Sequence, residues 1–258
     1  MKIVVLMKQV ANKDAVLRIA GDEKWINESD VAQQTNESDG YALEEALRMK
    51  EAKGEGEVVV CSLGPQSAKT VIKDALARGA DRAIHVVVDD SKKLSPYQIA
   101  STIADAIRGE NADLVFTGLQ SDDSNFGQTG VILAELLGIP HATLVIEVDR
   151  SKLEASVRLK RELESGWYQW FTYQLPALLT IQSGISQIRY ASLKGIMAAK
   201  KKEIAEVAPS AGAFTGGQTI EKVYMPLKTK QTQMLGNGDA KAGAAELVEK
   251  LKTEVRVL

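Results

Sequence analysis

Leu114-Val115-Phe116-Thr117, then Gly118-Leu119-Gln120-Ser121-Asp122-Asp123-Ser124-Asn125-Phe126-Gly127-Gln128-Thr129-Gly130, then Val131-Ile132-Leu133-Ala134-Glu135-Leu136-Leu137: this stretch decides the fold. The first four residues are a short apolar run bounded by turn residues, the pattern of a buried strand. The last seven carry apolar positions suited to a helix packed on a sheet. Between them lies a polar loop at the carboxyl end of a strand, running into a helix N-terminus, which is where open α/β sheets bind ligands. Its small residues admit a close ligand, and the free N–H groups of the first helical turn suit a phosphate. The plainer reading is a helix cap, with Asp123 or Ser124 satisfying those donors.

The same alternation recurs upstream. Ile3 to Met7 reads as a first strand, and residues 12–38 as a polar connection containing a small hairpin over 16–19 and 24–27. A helix follows over 39–53 and stops at Gly54, with Glu44 and Arg48 as an i,i+4 pair. Residues 57–62 form the next strand, and Pro65 opens a helix that ends at Gly79. Residues 83–88 are a third strand, and Ser95-Pro96 supplies the N-cap and first position of another helix. Strand and helix alternate four times, so the expected class is α/β: a mostly parallel open sheet with helices on both faces.

After Pro140 the pattern changes. Residues 141–148 and 153–163 alternate as an antiparallel hairpin, residues 166–173 add an aromatic strand, and residues 176–181 return to a buried one. Residues 188–202 read as a loop passing into a short basic helix. From 205 to 217 Ala, Gly, Pro and Ser mark a linker, and 228–239 read as extended and polar. Asp239 then caps a last amphipathic helix. The expected division is an α/β nucleotide-binding domain over 1–204, with a linker and C-terminal arm over 205–258.

Composition narrows the function. With 258 residues, 45% hydrophobic and 26% charged, the chain can bury one large core. A net charge of −2 argues against a general nucleic-acid grip. No apolar stretch approaches the roughly 20 residues that span a bilayer, and the short apolar start reads as a strand and not a signal peptide. A single Cys61 makes no internal disulfide, no Cys/His spacing suggests a metal, and a reducing cytoplasm is the expected location.

The usual catalytic devices are missing. There is no Gly-x-Gly-x-x-Gly after the first strand, no Walker phosphate loop and no nucleophile elbow. His85 lies inside a strand and His141 directly follows Pro140, both positions suited to structural roles. Asp122 and Asp123 read as cap or solvent residues before metal ligands. The expectation is a protein without acid–base machinery. Residues 6–10, Ser62-Leu63-Gly64-Pro65 and the 118–129 loop would face one crevice, with Asn36-Glu37-Ser38-Asp39 closing it. No lysine stands within 118–130, which favours a lightly charged nucleotide held mostly by main chain. Leu193, Ile196 and Met197 are apolar residues beside Lys200-Lys201-Lys202, a pattern consistent with either a solvated helix end or a partner-docking patch.

An ordered set of motifs then resembles the beta subunit of electron transfer flavoprotein over nearly the whole chain. It comprises Val5-Leu6-Met7-Lys8-Gln9, Asn36 with Leu43-Glu44-Glu45-Ala46-Leu47-Arg48-Met49-Lys50, Ser62-Leu63-Gly64-Pro65 and Gly79-Ala80-Asp81-Arg82. The 118–130 loop follows, then Arg161-Glu162-Leu163-Glu164, Leu175-Pro176-Ala177 and Arg189-Tyr190-Ala191-Ser192-Leu193-Lys194-Gly195-Ile196. The resemblance looks closer to the branch serving methylotrophic and anaerobic bacteria than to the mitochondrial one. It implies a heterodimer whose alpha subunit carries the redox FAD, with this chain as a non-catalytic support binding AMP. The AMP residues would be Leu6, Asn36, Glu37, Ser38, Asp39, Leu63 and 118–129. It also implies a recognition loop over 180–202 that docks a flavin-containing dehydrogenase through Leu193, and a terminal helix that contacts the alpha subunit.

Asn36 is followed by Glu-Ser-Asp where many relatives have Pro-Phe and a small residue, and Ser165-Gly166-Trp167-Tyr168 replaces the usual glycines and glutamate. Trp170, Phe171 and Tyr173 add aromatic bulk. Electron-bifurcating relatives place a second FAD in the crevice and usually carry Gln-Val-Gly at the position of Gln128-Thr129-Gly130, so the threonine favours AMP. The alternatives are that bifurcating type and a stand-alone ATP-binding α/β protein.

Overall fold

The computed structural model describes residues 1–29, 31–151, 153–210, 218–227 and 232–257, which form two compact units, Met1–Val223 and Tyr224–Leu258. In the first, strands β1 (Lys2–Leu6), β2 (Gln9–Ala11) and β3 (Gln33–Thr35) precede helix α1 (Glu37–Lys53). Then come β4 (Glu57–Gly64), α2 (Lys69–Arg78), β5 (Arg82–Val87), α3 (Pro96–Ile107), β6 (Leu114–Gly118) and α4 (Thr129–Leu137). The second half adds β7 (His141–Asp149), β8 (Ser156–Glu162), β9 (Tyr168–Gln174), β10 (Ala177–Ile181), α5 (Leu193–Ala199) and β11 (Ile204–Val207).

Nine strands form one sheet in the order β11-β5-β4-β1-β6-β10-β7-β8-β9. The pairings from β11 through β7 are parallel, and β8 and β9 extend the sheet as an antiparallel pair. Buried apolar residues fall into two clusters on opposite faces. One holds Leu43, Ala46 and Leu47 of α1 with Ile72 and Leu76 of α2, and the other holds Ile103 and Ile107 of α3 with Leu133 of α4. This is the expected parallel sheet covered on both faces. The runs of apolar residues in β1, β4, β6 and β10 follow from burial on both sides.

Local stop and start signals behave as their chemistry dictates. Gly54 takes the left-handed conformation at φ 75° and ends α1. Ser95 and Gln98 form a reciprocal capping box at the start of α3. The hairpin expected over 16–27 reduces to one bridge, Ile19 to Ile26, while β2 and β3 form a small antiparallel pair beside it.

The expected boundary after 204 moves. Residues 204–207, read as the end of a domain and the start of a linker, form β11 and pair in parallel with β5, and the first unit continues to Val223. A four-residue edge strand is held by backbone bonds to its neighbour, so little of it shows in side-chain pattern. The linker's 211–217 portion and residues 228–231 of the extended segment lie outside the described residues. In the second unit Asp239 caps α6 (Ala240–Lys250) as expected, accepting from the amides of Lys241 at 2.8 Å and Ala242 at 3.3 Å.

The strand order reverses around β1. The chain winds outward through β4 and β5, then crosses to β6 on the other side, leaving a crevice beyond the carboxyl ends of β1 and β6. Phe116, fully buried in β6, anchors the centre of the sheet. Phe116→Ala is expected to lower unfolding free energy by about 3–5 kcal/mol, measured by urea denaturation. A loss under 1 kcal/mol would contradict that placement.

Candidate functional site

The crevice holds a cavity of about 320 Å³. Its floor is made by the strand ends: Leu6 of β1 and Lys8 just after it, Cys61 and Leu63 of β4, and Thr117 and Gly118 of β6. Of the expected site residues, Leu6, Asn36, Asp39, Leu63, Gly118, Leu119, Gln120, Ser121, Asp123, Ser124, Phe126, Gly127, Gln128 and Thr129 line it. Glu37, Ser38, Asp122 and Asn125 do not, and their hydrogen bonds show why. The Glu37 amide donates to Asp122 Oδ2 at 3.1 Å, Ser38 Oγ donates to the Gln120 carbonyl at 2.8 Å, and the Asn125 amide donates to the Ser121 carbonyl at 2.9 Å. These residues shape the loop from behind.

Asp39 ties the floor together. Its Oδ2 accepts from the Lys8 amide at 2.8 Å and its Oδ1 from the Gly118 amide at 2.9 Å. Burial pushes its carboxyl up to about 6, against the pull of those two donors and of Asn36. A Cβ on Gly118 would sit 2.2 Å from Ser38 Oγ and 2.4 Å from Asp39 Oδ1, so only glycine allows the start of α1 to close this tightly. Asn36 locks the loop from the same side: Nδ2 donates to the Gln120 carbonyl at 3.0 Å, and Oδ1 accepts the Asp122 amide at 2.9 Å.

The capping alternative for Asp123 and Ser124 does not hold. The residue before α4 is Gln128, which makes no side-chain cap bond, and the first turn of the helix borders the cavity through Thr129 and Gly130. Asp123 instead accepts from Lys8 Nζ at 2.6 Å, while the Ser121 and Ser124 hydroxyls bond each other at 2.8 Å. Burial favours the neutral acid at Asp123, but Lys8 outweighs it and holds the carboxyl below its usual range. The loop itself lacks a lysine, as read, yet the fold brings Lys8 to it. Among the described residues no cluster of metal-binding side chains occurs. His85 is buried, with Nε2 3.2 Å from the Gly64 carbonyl, and burial pushes the Cys61 thiol up to about 12.

Trp25, Ser91, Lys92, Leu94, Gln218 and Ile220 also line the cavity, and sequence reasoning did not find them. They come from three connections widely separated in the chain, which share no motif. Elsewhere, Leu193, Ile196 and Met197 are exposed by 78%, 45% and 57% on α5, at the i, i+3, i+4 spacing of one helix face. That helix is firmly seated: a Cβ on Gly195 would lie 2.2 Å from the Ala77 carbonyl, and Lys202 Nζ donates to the Leu76 and Ala80 carbonyls. The segment before it is clamped, with Glu44 Oε2 accepting from Arg189 Nε at 2.8 Å and Arg48 donating to Glu44 at 2.7 Å. Burial raises Glu44, but the Arg189 and Arg48 bonds prevail and its carboxyl sits below the ordinary range.

Residues 24–211 match the family model described as "Electron transfer flavoprotein domain". The chain is 35% identical over 245 residues to the electron transfer flavoprotein subunit beta of Methylophilus methylotrophus, covering 92% of this chain and 93% of that protein. The chain belongs to the electron transfer flavoprotein beta-subunit family. The mitochondrial beta subunit of Oryza sativa subsp. indica is also 35% identical, over the full length of both chains, and the human beta subunit is 34% identical over 81% of this chain and 82% of its own. Bacterial and plant mitochondrial members are thus equally similar by identity. The matched electron transfer flavoprotein region includes both the 118–130 loop and α5. No helix among the described residues is long and apolar enough to cross a membrane.

The folded pKa of Asp39, about 6, lies above its free value of 3.8. The folded chain therefore binds this proton more tightly than the unfolded chain does. The associated stability is complete below the lower value and is lost as pH rises through the window, by about 3 kcal/mol in total. Urea titrations between about pH 4 and pH 7 should show the natural chain losing that much relative to Asp39→Asn as pH rises. A constant difference would assign the titration to another group.

Proposed function

We propose that this chain is the beta subunit of a heterodimeric electron transfer flavoprotein. Its alpha-subunit partner would hold the FAD, which supplies the redox chemistry, and this chain would support one side of that flavin without catalysing a reaction. The observation that carries the nucleotide part of the reading is the uncapped N-terminus of α4 opening onto a cavity between strand ends. The residues present fit a nucleoside monophosphate such as AMP. Backbone donors from 128–130 suit one phosphate, Lys8 with the Ser121 and Ser124 hydroxyls adds a single cation and two polar groups, and Leu63, Pro96 and Ile99 offer an apolar wall to the rest. AMP would serve as a structural ligand: of the two carboxylates lining the cavity, Asp39 is engaged by two backbone amides and Asp123 by Lys8.

Docking of a flavin-containing dehydrogenase would use the α5 face. Leu193, Ile196 and Met197 form an exposed apolar patch on a helix held rigidly at both ends, which suits an anchor entering a partner's pocket. Electrons would pass from that dehydrogenase through the FAD to a downstream acceptor. The second unit, 224–258, with Leu247 and Val248 exposed on α6, would reach the alpha subunit. The lone, buried Cys61 suits a reducing cytoplasm.

A purified complex with the alpha subunit should release one FAD and one AMP per heterodimer on denaturation, read by absorbance and mass. Two FAD and no AMP would mark the bifurcating type, and tight ATP binding by the isolated chain would mark a stand-alone nucleotide binder. Leu193→Ala should slow flavin reduction by the dehydrogenase roughly tenfold or more while leaving assembly and flavin content intact. Unchanged reduction kinetics would retire the docking role.

A further inference from the structure

The strand ends form one side of the cavity, and a roof of connecting chain lines another. That roof consists of three pieces of chain outside the main sheet and the helices packed on it. Trp25 comes from the connection between β2 and β3, Lys92 and Leu94 from that between β5 and α3, and Gln218 and Ile220 from the segment after β11. Glu28 joins the first two, accepting from Trp25 Nε1 at 2.9 Å and from Lys92 Nζ at 3.0 Å. The third piece is fastened to the other two. The Val223 amide donates to the Glu23 carbonyl at 2.8 Å, Lys222 pairs with Glu23 at 2.9 Å, Lys24 Nζ donates to the Glu221 carbonyl, and Gln218 Nε2 reaches the Leu94 carbonyl at 3.4 Å.

Floor and roof differ in how firmly they are held. The floor is parallel strand ends, with Cys61 fully buried and Leu6 and Thr117 nearly so. The latch on the roof is a surface pair, Glu23 and Lys222 each more than half exposed, and the Lys24 bond to the Glu221 carbonyl beside it is exposed as well. Segments with few buried contacts and solvent-facing hydrogen bonds open at far lower cost than core strands. A ligand enclosed between a rigid floor and a loosely fastened cover leaves through the cover.

We infer that residues 218–223 are a hinged door over the nucleotide pocket, latched by Glu23 and Lys222, and that Trp25 and Ile220 cover the bound nucleotide. This rests on the reading that the pocket holds a nucleoside monophosphate. The door sets how fast the nucleotide enters and leaves, while the floor and the start of α4 set how tightly it binds. Because the door runs directly into Tyr224, the first residue of the C-terminal unit, the gate and that unit are continuous in the chain.

The signature of a gate is that weakening its latch speeds both directions together. Isotope-labelled AMP, followed by rapid filtration with the full chain, gives both rates. Glu23→Ala and Lys222→Ala should each raise association and dissociation by the same factor, roughly two- to fivefold, with Kd unchanged within about twofold. Lys250→Ala, which removes the surface pair between the last residue of α6 and Glu254, should change neither rate. A rise in dissociation alone would mean the segment merely touches the ligand, and unaltered rates would mean it does not cover the path. Either result overturns the door while leaving the nucleotide reading standing. Failure of the natural chain to bind AMP overturns that reading, and the door falls with it.

Discussion

The carboxylate of Asp39 accepts one backbone amide from the end of β1 and one from the end of β6, the two strands on either side of the point where the sheet's winding reverses. Much of the site follows from that arrangement. The start of α1 is drawn so close to β6 that Gly118 has no room for a side chain, and Asn36 and Ser38 are then within reach of the Gln120 carbonyl. The loop after β6 is thereby shaped from the α1 side, and α4 begins without a side-chain cap, its first turn beside the cavity. A carboxylate buried among backbone donors is costly to desolvate, and its raised pKa is the visible sign of that cost.

The same helix performs a second job farther along its length. Glu44 and Glu45 are both buried, and each is matched by arginine from a distant part of the chain: Arg189 ahead of α5, and Arg150 at the β7–β8 turn, whose two bonds to Glu45 measure 2.8 Å and 2.7 Å. Buried charges of this kind tolerate the loss of neither partner, because the survivor would be left unpaired in a dry environment. One helix therefore registers the cavity at its N-terminus and the exposed α5 patch through its middle. An electron-transfer subunit needs this sort of rigid placement of groups relative to one another.

Legibility varied with the physical origin of each feature. The strands of the parallel half announced themselves as continuous apolar runs because both faces are covered, and helix ends were marked by Gly54, Gly79 and the Ser95-Pro96 pair. The 118–130 loop was recognisable as a candidate site because a strand end, small residues and a helix start are contiguous in sequence. The roof was not, since Trp25, Lys92 and Ile220 lie nearly 200 residues apart at the extremes and share no pattern. The role of Lys8 was hidden for the same reason: its partner Asp123 is 115 residues away. β11 escaped notice because an edge strand of four residues is specified by the backbone of β5 more than by its own side chains.

The sequence by itself determined the fold class and the family, and marked the 118–130 loop as a candidate site, because all three readings rest on short-range periodicity and contiguous motifs. It also carried the apolar spacing of Leu193, Ile196 and Met197. Only the tertiary structure decided that β10 inserts between β6 and β7, that Asp39 bridges two strand ends, and that three polar connections meet over the cavity. These depend on pairings between residues far apart in the chain. Such pairings are fixed by strand order and burial, which no local pattern of residues encodes.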